Sequence, residues 1–156
     1  MDISEQRAAV VKEAREWEGT PYHHGAGLKK IGTSCSWFIA AVFNNALGAN
    51  LTVVEHAEQW YLSDINIKTK NNLYLNELQR HGFIEILEED RGPGDLLLSR
   101  TNNVLYCHGG IILAWPSVAH TIVGRGVDIC RSAYSSWYFG QDIKSLKFYS
   151  WKEWHV

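Results

Sequence analysis

Apolar positions near the start of the chain recur at helical spacing: Ala8, Ala9, Val11, Ala14 and Trp17 mark one face over roughly residues 5–18. Gly19 and Pro21 end that pattern. From Cys35 a second helical stripe follows, made of Phe38, Ile39, Val42, Phe43 and Leu47, with Gly48 as its stop and Thr33 or Ser34 as its cap. Residues 73–81 before Gly82 predict a short third helix, and no element is assigned between the second and third. Beyond Gly82 the period shortens. FIEIL (83–87), DLLLS (95–99), VLYCHGGIIL (104–113), VAHTIV (118–123), GVDICR (126–131) and SLKFYSW (145–151) are β-prone runs divided by turn residues. Helices first and strands afterwards predict an α+β fold, with N-terminal helices packed on a largely antiparallel sheet.

Between the first two helices, GTPYHHGAGLKKIGTS (19–34) carries four glycines and a proline, and is expected to be a long shaped loop. At 156 residues, without a repeat, linker or low-complexity stretch, residues 1–156 are read as one domain. A composition of 46% hydrophobic and 21% charged residues is that of a folding chain. The net charge of -2, with no basic cluster, argues against nucleic acid as a partner. The first residues lack the basic start and apolar run of a secretory signal, so synthesis in the cytoplasm is expected. No run approaches the ~20 apolar residues of a membrane span, so membrane insertion is not expected.

Three cysteines without CxxC spacing argue against a disulfide framework and against structural zinc, though a Cys107–Cys130 bond stays open. Neither a metal nor a cofactor is expected: no H-E-x-x-H or Cys/His cluster is present, and His23 and His24 are not a metal pair. Cys35 stands apart because it opens a helix, where the macrodipole and unpaired N–H groups favour thiolate. Cys107 and Cys130, inside β-patterned runs, are read as packing residues.

His108 lies beside Gly109 and Gly110, which clear space next to an imidazole in a strand. His120 follows twelve positions later in the next strand. A hairpin with an odd number of loop residues puts both on one sheet face, with His120 opposite Gly110 and diagonal to His108, within imidazole reach. Cys35, His108 and His120 therefore supply a nucleophile, a general base and an orienting group. The first N–H groups of the second helix, where Ser36 follows the thiol, are candidates to hold an oxyanion. His23, His24 and Trp37 are candidate substrate contacts from a loop and a helix start. The tryptophans are expected mainly in the core, and Asp95 is expected to shape a turn.

These residues resemble the NlpC family of bacterial cell-wall cysteine peptidases. GTPYHHGAGLKKIGTSCSWFIAAVF matches its loop-to-helix segment, GPGDLLLSR (92–100) its Pro-Gly-Asp-Leu strand entry, CHGGIIL its His-x-Gly-Ile strand, and VAHTI the place of its third catalytic residue. TPYHH, the LLLSR strand and the Trp-rich tail resemble the phage-tail and gene-transfer-agent branch. The resemblance implies a papain-like core and hydrolysis of an amide bond in the peptide stem of peptidoglycan, after D-glutamate. It also implies oxyanion or substrate assistance from Tyr22 and Ser36, and delivery to the wall by a phage tail or secretion system. Two positions depart from the pattern. Ser34 stands where many members have Asp, and Trp37 where a glycine often follows Cys-Ser. The alternative expectation is a non-catalytic phage-tail or wall-binding subunit that retains the fold. Lipid acyltransfer is disfavoured, because relatives with that activity place the histidine before the cysteine.

Overall fold

The computed structural model describes residues 1–53, 64–101 and 103–155. Helix α1 runs Ile3–Glu16 and starts earlier than periodicity suggests, because Asp2 and Glu5 form a reciprocal cap. Val10 and Ala14 bury its inner face. Helix α2 runs Cys35–Leu47; Ser34 is its cap and Gly48 ends it in the left-handed conformation. Two further helices follow, α3 (Asp64–Thr69) and α4 (Leu73–Arg80). Among the described residues no helix is long and apolar enough to cross a membrane.

The 19–34 segment is more regular than expected. It contains a small hairpin, β1 (Gly27–Leu28) with β2 (Gly32–Thr33), and an isolated parallel bridge from Tyr22 to Thr33. Strands of two residues leave no periodicity to read, so the glycines dominated the sequence signal.

Six further strands form one sheet: β3 (Phe83–Ile86), β4 (Leu96–Ser99), β5 (His108–Ala114), β6 (Ser117–Ile122), β7 (Gly126–Cys130) and β8 (Lys147–Trp151). Their order is β3-β8-β4-β5-β6-β7, and every pairing is antiparallel. The α+β architecture expected from the sequence is the one observed. Strand β5 begins at His108, not Val104. Asn72 takes both backbone groups of Tyr106, at 2.7 and 3.0 Å, and so draws that β-prone stretch away from the ladder.

Leu96, Leu97 and Leu98 are fully buried, because both faces of the sheet are covered. On one face α1 and α2 pack Trp17, Phe38 and Phe43 against Leu96, Leu98 and Ile111. On the other, Leu97, Ile112, Val118 and Phe148 meet Ala133 and Phe139 from the β7–β8 connection, which includes the short helix α5 (Trp137–Gly140). The sequence reading assigned no element to that connection. A fully buried Phe or Leu contributes about 1.5–3 kcal/mol, so this second layer is a substantial part of the stability.

Asp95 joins distant parts of the chain. Its buried carboxylate faces Arg7 of α1 at 3.0 Å, accepts from Ser150 of β8 at 2.6 Å and accepts from Gly92 N at 2.7 Å. The Gly92 bond is the turn-shaping role expected for it. The ion pair with α1 and the bond to β8 extend that role.

Candidate active site

Ser34 has extended backbone and its hydroxyl accepts from Trp37 N at 3.4 Å, which places Cys35 at the first helical position of α2. Cys35 is 3% exposed. Ile39, one turn further along, reaches the sheet at Gly109, where an added Cβ would lie 3.5 Å from Ile39 Cδ1. The first turns of α2 therefore cross the sheet at Gly109, the residue that follows His108 in β5.

His108 opens β5 and His120 lies in β6, directly opposite Gly110. The expected diagonal is the one observed, and His108 Nε2 is 2.8 Å from His120 Nδ1. A bulge between Ile112 and Ala114 makes this possible. At the hairpin tip Ala114 pairs with Ser117; carried inward without the bulge, that register would set Gly110 against Thr121 and turn His120 to the opposite face.

The missing side chain at Gly110 clears the approach. A Cβ there would stand 2.6 Å from Val118 Cγ1, 2.8 Å from Ala119 O and 3.0 Å from His120 Cβ. Gly110→Ala is expected to destabilise the fold by about 1–3 kcal/mol, and to disrupt the imidazole pair. NMR of the ring nitrogens would check the second effect; an unaltered His108–His120 coupling in the variant would refute it.

Aromatic rings enclose the pair. Tyr138 stacks on His108 at 4.5 Å and 27°, while Phe139 lies 5.3 Å from His108 and 5.1 Å from His120. Burial pushes the His120 pKa down to about 4; Asp128, opposite it on β7, favours its cation, and Arg125 opposes it. Burial, then the neighbouring His120, hold His108 well below the ordinary imidazole range. Both rings are thus neutral at pH 7.

Stability follows from this. The unfolded chain protonates these histidines below about pH 6.5, whereas folded His120 stays neutral down to about 4. Stability should be full above pH 6.5 and fall as the pH drops towards 4, with His120 accounting for on the order of 3 kcal/mol. Urea unfolding at several pH values should show a shallower decline for His120→Gln. Parallel curves would refute the linkage.

The remaining candidates are dispersed. Tyr22 is half-buried and bridges to Thr33, two residues before Cys35. His23 and His24 are exposed, and His23 Nδ1 lies 3.0 Å from the carbonyl oxygen of His24. Ser36 lines a small apolar recess with Ile39, Leu51, Tyr74, Leu78 and Phe83. Trp37 packs its ring on Gly27, and its buried indole Nε1 has no hydrogen-bond partner among the described residues. None of the three cysteines forms a disulfide, so the Cys107–Cys130 bond is absent. Sequence reasoning missed the Tyr138–Phe139 enclosure and the facing Asp128. The His120–Asp128 pairing is readable only once the β6–β7 register is known.

No protein-family model and no curated protein sequence matches this chain. Solved structures do. The NlpC/p60 domain of the peptidoglycan hydrolase SagA aligns with a TM-score of 0.59 at 21% identity, over 92% of this chain and 96% of that one. The fold is the NlpC/p60 fold. NlpC2 from Trichomonas vaginalis gives a TM-score of 0.60 at 16% identity over 88% of this chain, and an NLP/P60-family lipoprotein-like protein from Staphylococcus aureus gives 0.53 at 22% over 86%. This chain spans 45% and 39% of those two proteins. The shared NlpC/p60 fold is papain-like, as the sequence resemblance implied.

Proposed function

We propose that this protein is a cysteine hydrolase that cuts an amide bond in the peptide stem of peptidoglycan, after D-glutamate. The observation that carries the reading is the 2.8 Å bond between His108 and His120, on strands that α2, the helix Cys35 opens, contacts.

For His108 to act as base through Nδ1, its proton must sit on Nε2 and be donated to His120 Nδ1. That fixes His120 as the Nε2–H tautomer. Neutral His108 then accepts the Cys35 proton, and the thiolate attacks the substrate carbonyl carbon. Backbone N–H groups at the start of α2 face the developing oxyanion. His108 returns the proton to the leaving nitrogen as the C–N bond breaks, leaving a thioester on Cys35. Water, deprotonated by His108, hydrolyses it and restores the thiol. Tyr22, bridged to Thr33 two residues before the nucleophile, assists oxyanion or substrate.

On this reading residues 1–156 act as one peptidase domain on the cell wall, reached through a phage tail or a secretion machine. The test is digestion of purified peptidoglycan followed by mass spectrometry. Fragments with a new amino terminus at the residue after D-glutamate are expected. Intact stem peptides after prolonged digestion would instead favour the non-catalytic tail or wall-binding role.

A further inference from the structure

Two neutral histidines that share one hydrogen bond can do so in two ways. His108 Nε2–H can donate to His120 Nδ1, which leaves the other nitrogen of His108, Nδ1, as a base. His120 Nδ1–H can instead donate to His108 Nε2, which puts the His108 proton on Nδ1 and removes the base. Both arrangements hold the same two nitrogens at 2.8 Å. A histidine orienter, unlike a carboxylate, does not choose between them. The choice falls to whatever faces the far nitrogen of His120.

Strand β7 supplies that far side. His120 Nδ1 is turned to His108 on β5, so its Nε2 points away from β5. Strand β6 lies between β5 and β7, and His120 is the Cα partner of Asp128 in the β6–β7 ladder. Residues directly opposed in this way share a face, with Cβ atoms about 4.5–5.5 Å apart. His120 and Asp128 accordingly line one cleft of about 420 Å³, together with Arg125, Cys130, Trp137 and Tyr138.

The rest of the His120 surroundings is largely aromatic. Tyr138 stands edge-on to the ring at 5.4 Å and Phe139 lies at 5.1 Å. Arg125, in the β6–β7 turn, carries the opposite charge to Asp128, but its side chain is 71% exposed and lies 3.7 Å from the Asp128 carboxylate. The Asp128 side chain is 33% exposed, so solvent screens it less. After burial, Asp128 is the larger influence on protonation of the His120 ring and Arg125 the smaller.

We propose that Asp128 is a positioning residue for the histidine pair: its carboxylate, across the cleft from His120 Nε2, holds the proton there and so keeps His108 Nδ1 available as the base. It acts by charge and through the solvent that the cleft admits, without touching substrate. When His108 takes the thiol proton, the same carboxylate stabilises the resulting cation, and no second proton moves. The catalytic consequence rests on the hydrolase reading; the tautomer preference does not.

Nitrogen NMR of the full chain reads the tautomer, and turnover of stem peptides reads its consequence. The parent should carry the His120 proton on Nε2 at pH 7. Asp128→Asn removes the charge at nearly constant shape, and should give a mixture of Nδ1–H and Nε2–H forms, with kcat about 10–100-fold lower and KM unchanged. The His120 titration should move down in Asp128→Asn and up in Arg125→Gln, opposite signs that a loosened turn would not give. Asp128→Glu should restore the Nε2–H form and most of kcat. A parent with His120 protonated at Nδ1, or an Asp128→Asn chain with the tautomer unchanged, would overturn the role of Asp128, whatever happens to turnover. If the parent never cleaves, the hydrolase reading falls alone, and the spectra still decide for or against Asp128.

Discussion

Replacing Cys35 with alanine is expected to lower stem-peptide hydrolysis by about a thousandfold or more while the fold persists. The side chain is small and sits at a helix start capped independently by Ser34, so losing one buried sulfur should cost only about 1 kcal/mol of stability. Activity and stability should therefore separate cleanly, the first by peptide release and the second by thermal melting. Residues that act as one unit are not additive. Adding His108→Ala to Cys35→Ala should reduce the residual rate little further. A Cys35→Ala protein as active as the parent, or a double variant much slower than either single one, would refute the shared mechanism.

Asp95→Ala is expected to destabilise the fold by about 3 kcal/mol, lowering the melting temperature by roughly 6–12 °C. The carboxylate is fully buried, and its removal leaves Gly92 N without an acceptor and Arg7 without a counter-charge. The cost is placed at the lower end for a buried pair because the Arg7 side chain is 19% exposed and keeps its bond to Pro93 O. Asp95→Asn should recover part of the loss, since an amide oxygen can still accept from Gly92 N or Ser150. If alanine and asparagine melt together, near the parent, the carboxylate does not have this role.

The elements that sequence made legible are those whose large apolar residues recur at a fixed period. The α2 stripe from Phe38 to Leu47 keeps helical spacing even though every residue from Phe38 to Phe43 is buried, and its limits at Ser34 and Gly48 are set by local capping. The diagonal of His108 and His120 was legible for the related reason that strand parity fixes faces. What escaped depends on partners far along the chain. Tyr106 is held out of β5 by Asn72, thirty-four positions earlier. Tyr138 and Phe139 come to enclose the histidines through a four-residue helix too short to show a period. Trp37 looked like a cleft residue beside the thiol, and its packing on Gly27 depends on a hairpin that composition concealed.

The bulge in β5 bears on how this hairpin can change in length over evolution. Deleting Leu113 would regularise the ladder, with Ile112 still opposite Val118, Ala114 still opposite Ser117 and Gly110 still opposite His120. One residue inserted between Val118 and His120, with Val118 still opposite Ile112 and the ladder regular after it, would set His120 opposite Gly109 and carry the imidazole through to the helical face. A shorter β5 thus keeps the register of His120 at the cost of one buried core side chain, whereas the stretch of β6 leading to His120 must change by even numbers of residues or not at all.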